Sequence, residues 1–363
     1  MIRILYVQST LEKGGITNHL KSILQHLDRT QFEPIVLCLS DEKSNSDLPT
    51  LAKMGIQIHQ IHCNKWTLES RIVKKLKLEL ATINPHLIQT FTYRPSYLMG
   101  RYFSKQYKTI GVLSSNVFEN YVDTYGKIIG RYIAQKELKG LSFMHKTIAV
   151  AKHLSQLFPN LNLQAIQNGI PASATIHFSE KNQYKKALNW NPNAHHFIVV
   201  GALSKRKNVA FIIDAFLQSQ QAQSAYLVIL GTGPELSAYK MKYQQSSNVI
   251  FAGQQNQVAQ WLMAADAFVS ASVSEGLPLS VLEAMSVQLP CFLSNIPAHL
   301  ELQSEANNQQ GIQLFQLNEI DQLIALFNQF QPYQASYLVQ TAALMTAAYQ
   351  EVYQEMTSSH DRH

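Results

Sequence analysis

Short apolar runs rich in β-branched residues alternate through the first half of the chain with segments whose apolar positions recur three and four residues apart. The runs at 2–9, 33–40, 56–62, 86–92, 108–115 and 147–151 read as strands, and the segments between them as helices. The clearest helix follows Gly14-Gly15, with Ile16, Leu20, Ile23, Leu24 and Leu27 on one face. From about residue 197 the rhythm restarts, with strands expected at 197–204, 226–231, 248–253, 267–272, 290–295 and 312–317. Alternation of this kind builds parallel sheets covered by helices, so the expected class is α/β with two parallel sheets. The polar stretch 179–196 reads as a helix and turn leading into the second sheet, and Asn168-Gly169-Ile170-Pro171 as a hinge. After Pro332 the pattern is helical to the end, with Leu338, Ala342, Leu344, Ala347 and Tyr353 as apolar positions. The expected domains are 1–168, with helix 338–358 packing back on it, and 169–337.

A chain of 363 residues is long for one core and fits two. At 46% hydrophobic and 15% charged, it has the composition of a folded chain and excludes a disordered one. It opens directly on a strand-like run without a leader pattern, which predicts a cytoplasmic location, and no stretch has the length of a membrane span. Cys38, Cys63 and Cys291 show no C-x-x-C spacing and read as core thiols, and the 13 histidines show no H-x3-H spacing, so no metal site is expected. Charge adds an asymmetry. Residues 1–165 hold 21 Lys/Arg against 11 Asp/Glu, a net +10, and residues 166–363 hold 9 against 13, a net −4. The basic half predicts an anionic partner such as a phospholipid surface or a lipid-linked diphosphate; without any recognised module, nucleic acid is not expected. Residues 71–80 place Ile72, Val73, Leu76 and Leu80 on one helical face and Arg71, Lys74 and Lys75 on another. This is either a core helix with a solvated side or a membrane-surface helix.

The candidate chemistry is concentrated in residues 274–285, where Glu275 and Glu283 are separated by seven residues. Pro278 suits a first helical turn, which leaves Glu275 in the preceding loop and Glu283 about a turn and a half inside. Among Val281, Leu282, Ala284 and Met285, the Glu283 carboxylate needs a partner, which a ribose diol or a buried ion pair would supply. The helix start would direct free N–H groups at a phosphate. Lys207, with Arg206 beside it, lies between a strand and a helix expected near Asn208; it either neutralises a departing diphosphate or belongs to a solvated basic turn. Gly14-Gly15 opens a helix after a strand, as a close-approach loop or as a plain turn. No Asp-x-Asp is present, so the usual carboxylate pair for Mg²⁺ or Mn²⁺ is missing.

The Glu275-to-Glu283 segment resembles the E-x7-E signature of the family 4-like glycosyltransferases, which have the GT-B fold. Gln167-Asn168-Gly169-Ile170 resembles that family's N-G-[IV], residues 200–208 its G-R-L-x-x-x-K-[GN], Gly231-Thr232-Gly233-Pro234 its G-x-G-P turn, and Gly14-Gly15 its first glycine loop. The resemblance implies two Rossmann-like domains facing across a cleft, and a retaining hexosyltransferase that needs neither metal nor cofactor. It implies a nucleotide-sugar donor, UDP- or GDP-linked, and a glycan or lipid-linked acceptor, in polysaccharide or glycolipid synthesis at the inner membrane face. By the same resemblance Glu275, Lys207 and Arg206 are catalytic. Glu283 binds the ribose, and Gly276, Leu277, Leu279, Ser280, Gly14, Gly15, Gly201 and Gln254 contribute to donor binding. Two positions depart from the pattern: Ala202 replaces a frequent arginine, and residues 112–116 lack a histidine, for which Ser115 or Asn116 would substitute. The competing readings are a nucleotide-sugar epimerase of the same architecture and a non-catalytic nucleotide-sugar-binding assembly protein.

Overall fold

The computed structural model describes residues 1–64, 66–171, 180–306 and 309–358. The apolar runs of the first half become β1 (Ile2–Gln8), β2 (Phe32–Cys38), β3 (Gln57–Gln60), β4 (Leu87–Thr90), β5 (Lys108–Leu113) and β6 (Lys146–Ala149). A two-residue strand, β7 (Gln164–Ala165), extends the edge; both its residues are exposed, so it lacks the apolar run by which a strand is read. All neighbours pair in parallel, in the order β3-β2-β1-β4-β5-β6-β7. Leu5, Val7, Ile35, Leu37 and Ile88 of this sheet pack with Ile72, Leu76 and Leu80 of the helix Glu69–Ile83. Arg71, Lys74 and Lys75 lie on its exposed side, so this is a core helix with a solvated face.

The second sheet contains β8 (His196–Val200), β9 (Tyr226–Leu230), β10 (Val249–Gly253), β11 (Ala267–Ser270), β12 (Cys291–Ser294) and β13 (Ile312–Phe315). Its parallel order is β10-β9-β8-β11-β12-β13. Phe197 anchors its core, with its ring 4.8 Å from Phe327 and 6.1 Å from Phe216. The helix Lys181–Ala187 is tied to the sheet by buried charge: Lys185 Nζ lies 2.8 Å and Lys181 Nζ 3.2 Å from the Asp266 carboxylate, which also accepts the His196 N–H at 2.8 Å. Each sheet order reverses direction once, between β1 and β4 and between β8 and β11. Loops leaving the strand ends at such a point diverge and open a crevice suited to a ligand.

By contacts the chain divides into one unit of Met1–Pro171 with Gln340–His363 and another of Ala172–Val339. The helix expected from Pro332 onward begins at Ala342 and runs to Ser358. The intervening 331–340 is irregular, and its polar groups are taken up elsewhere: the Tyr337 N–H donates to Gln288 Oε1 at 2.6 Å, and its hydroxyl to the Gly311 carbonyl at 2.5 Å. Leu338 and Leu344, read as inward apolar positions, are 75% and 64% exposed. The helix itself packs on the first unit through Met345, Tyr349 and Tyr353, and the Tyr353 hydroxyl donates to Gln89 Oε1 at 2.6 Å. Ile170 and Thr341 form a parallel bridge where the two connecting segments run side by side. Cys38, Cys63 and Cys291 are buried and unpaired, and no helix among the described residues is long and apolar enough to cross a membrane.

Candidate active site

The loops that leave β8 and β11 at the switch point carry the cations and the first glutamate. After β8 the chain makes a tight turn over Lys205–Lys207, passes Asn208 in the left-handed conformation, and enters the helix Val209–Gln218. After β11 it runs through Glu275 to the helix Leu279–Ser286. The two loops are joined by main chain and side chain together: the Val273 N–H donates to the Arg206 carbonyl at 2.8 Å, and the Arg206 guanidinium to the Ser274 carbonyl at 2.6 Å. Pro278 sits one residue before the helix, outside the first turn where its sequence position had suggested it.

Glu275 is buried between the two cations. One carboxylate oxygen takes the Arg206 guanidinium at 2.8 Å and the other the Lys207 ammonium. Burial alone would raise its pKa, but the charges of Lys207 and Arg206 outweigh this and hold the carboxyl down at about 2. The resemblance makes all three catalytic, and the structure brings them into direct contact. The Lys207 side chain crosses Gly201, lying 3.4 Å from where a Cβ would stand. Gly231 has φ 135°, and a Cβ there would collide with the Gly201 carbonyl, so glycine lets the β9 loop close on the β8 loop.

Glu283 presents the opposite electrostatics. It is the fifth residue of its helix, half-buried, and none of the described residues pairs with its carboxylate. Burial pushes its pKa up to about 7. The buried ion pair weighed as its alternative is found at Glu275 instead. At the start of the same helix, Val281 and Leu282 donate to the Pro278 carbonyl, so Leu279 and Ser280 present the N–H groups that find no acceptor among the described residues. Leu277 is buried beside them and Gly276 lies in the bend before them. Gln254 is exposed just past β10.

The remaining candidates lie at the corresponding edge of the first sheet. Gly14 precedes the helix Gly15–His26 with φ 168°, an extended conformation open to any residue, and a Cβ there would meet no atom within 4 Å. The fold therefore does not require glycine at 14. Asn116 caps the helix Val117–Tyr125, its Oδ1 accepting the Phe118 N–H at 3.2 Å, so that oxygen is already engaged; Ser115 is half-buried in the preceding bend.

Two histidines were not anticipated. His19, buried in the first helix, places Nδ1 2.6 Å from Asn168 Oδ1, and His299, buried behind the β12 loop, places Nδ1 2.8 Å from the Ser294 carbonyl. Burial lowers both to about 4, so both are neutral, and the Nε2 of each is buried with no hydrogen-bond partner among the described residues. His299 is near enough to Glu275 and Lys207 to sense both charges. Neither position bears a motif, and their only sequence signal is a polar residue at an inward position. Among the described residues no group of three His, Cys, Asp or Glu is placed to hold a metal ion.

Residues 180–331 match the family described as glycosyl transferases group 1. Over 172 residues, the chain is 31% identical to the UDP-Gal:alpha-D-GlcNAc-diphosphoundecaprenol alpha-1,3-galactosyltransferase of Escherichia coli, a match covering 45% of this chain and 44% of that protein. It is 22% identical over 324 residues to the capsular polysaccharide biosynthesis glycosyltransferase CapH of Staphylococcus aureus, covering 83% of this chain and 84% of the relative. In three dimensions it is similar to sucrose-phosphate synthase of Thermosynechococcus elongatus, with a TM-score of 0.82 and 14% identity over 99% of this chain and all of that one, which shows the fold. The fold is thus that of the GT-B glycosyltransferases, and residues 180–331 resemble the group 1 glycosyl transferases.

Proposed function

We propose that the chain transfers a hexose from a UDP-linked donor to a lipid-linked glycan, with retention of anomeric configuration and without a metal ion. The observation that carries this is the contrast at the β8/β11 switch point: two cations gathered on Glu275, and eight residues on, an unpartnered Glu283. A diphosphate reaching the switch point competes with Glu275 for Lys207 and Arg206. Once released, Glu275 accepts hydrogen bonds from the hexose hydroxyls while the cations and the N–H groups of Leu279 and Ser280 hold the phosphates. The ribose diol donates to Glu283, relieving its unpaired burial. In the reaction the anomeric carbon–phosphate oxygen bond breaks as the bond to the acceptor oxygen forms on the same face. The acceptor hydroxyl proton passes to the departing phosphate, and the charge of the UDP leaving group rests on Lys207 and Arg206.

The donor nucleotide and the lipid-linked acceptor follow the E. coli relative, whose name specifies UDP-galactose and an undecaprenyl diphosphate glycan. The net +10 of residues 1–165 suits an anionic acceptor at the inner membrane face. Calorimetric titration of the protein with UDP, GDP and ADP in the presence of EDTA tests the reading. The expected result is micromolar binding of UDP, weakened by about tenfold or more in Glu283→Ala; failure of every nucleotide to bind overturns it.

A further inference from the structure

Helices Val117–Tyr125 and Lys127–Leu141 form a hairpin that turns at Gly126. The second helix turns Gly130, Ala134, Glu137 and Leu141 inward. Glu137, the one acidic residue of this helix, is buried and accepts the Tyr121 hydroxyl at 2.6 Å. Its outward face therefore carries Lys127, Arg131 and Lys139 with no carboxylate among them; the hairpin's exposed acids, Glu119 and Asp123, stay on the first helix. At the turn, Ile128 is 87% and Ile129 58% exposed, flanked by Tyr125 and Tyr132, each more than half exposed. Single exposed apolar residues are ordinary, but consecutive isoleucines between tyrosines on a basic helix face combine the features of a segment lying in a bilayer interface. Lys136, further along the same helix, is taken up by Glu69 at 3.6 Å, so the basic residues left exposed are those toward the tip together with Lys139.

We propose that this hairpin tip docks the chain on an anionic phospholipid bilayer. Ile128 and Ile129 enter the acyl boundary, Tyr125 and Tyr132 sit at headgroup level, and Lys127 and Arg131 meet the lipid phosphates. The occupant is argued from charge, since the outward face is basic and lies in the half of the chain with net +10. A second copy of the chain is a poorer occupant: a few side chains on one turn fall well short of the roughly 1,200 Å² that a stable protein interface buries. The inference deepens the reading above, since a lipid-linked acceptor places the substrate in that bilayer.

The test is co-sedimentation of the full chain with vesicles of equal parts phosphatidylglycerol and phosphatidylcholine, and with phosphatidylcholine alone, with UDP binding measured in parallel. The wild-type chain is expected on the mixed vesicles only, and added salt should weaken binding. Ile128→Glu with Ile129→Glu should weaken it about tenfold or more, and Lys127→Glu with Arg131→Glu by a similar factor, both leaving UDP binding unchanged. The proposal is overturned if the wild type stays in solution with mixed vesicles, or if both double variants sediment as it does. It is equally overturned if the isoleucine variant merely dissociates a dimer on ultracentrifugation. A wild type that docks on vesicles but binds no nucleotide counts against the donor reading alone.

Discussion

Glu275 and Glu283 stand at the two ends of one short segment, and both carboxyls are drawn out of water. Glu275 meets two cations and its carboxyl is held near 2; Glu283 meets none and rises to about 7. The difference lies in the loop each one faces. The β8 loop delivers Arg206 and Lys207 to the first acid and leaves the second, a turn and a half along the helix, with apolar company. The consequences for stability have opposite signs. With its folded pKa below the ordinary value, Glu275 stabilises above about pH 4.5, a contribution lost as pH falls toward about 2. Glu283, with its folded pKa raised, is at no disadvantage below about pH 4.5 and destabilises increasingly as pH rises through about 7. A carboxylate kept charged and occupied and another kept unpaired suit one ligand carrying both an anion and hydroxyl donors.

The largest expected effect comes from erasing the first of the two. Glu275→Gln should lower turnover by about 10²–10³-fold while tightening UDP binding severalfold, because Lys207 and Arg206 no longer have a competing carboxylate. Weaker UDP binding in calorimetry would show that the cations need Glu275 to hold their positions, and that the exchange on donor binding is wrong. Erasing the second should act through pH. Wild-type affinity for UDP should fall from about pH 8 to about pH 6 as Glu283 takes up its proton, and Glu283→Gln should lack that part of the dependence. The same variant should melt roughly 2–4 °C higher than wild type at about pH 8 and no higher at about pH 4.5, since it removes an uncompensated buried charge. The smallest effect is expected at Gly14→Ala, where calorimetry should find the melting temperature within about 1 °C of wild type and kinetics a kcat/KM lower by about tenfold. Unchanged kcat/KM would separate the β1 loop from the substrate.

Most strand positions in both sheets were legible because parallel strands buried on both faces read as continuous apolar runs. β7 was not, since an exposed pair at a sheet edge has no such run. The late start of the last helix was hidden as well: Tyr337 and Gln288, far apart in sequence, satisfy each other's polar groups and hold 331–340 out of the helix. In the site, the types of Arg206, Lys207, Glu275 and Glu283 carried the chemistry, but which acid would receive the cations depended on how two loops cross. Nothing in the spacing within either loop encodes that. The cap at Asn116 was readable, since Asn followed three residues later by Glu119 is a helix-start pattern. His19 and His299 were lost among 13 histidines, because only the fold turns them inward.

The return of the helix Ala342–Ser358 to the first unit also fixes an order of events during synthesis. The second unit is one continuous stretch, Ala172–Val339, and has all its strands once that stretch leaves the ribosome. The first unit, though translated earlier, waits for the closing residues: Tyr6, Phe32 and Gln89 stay uncovered on their sheet until Tyr349 and Tyr353 arrive. The half of the chain made first is thus the half completed last, and a chain cut short at residue 340 keeps every strand of the second unit while the first lacks the helix that covers its sheet.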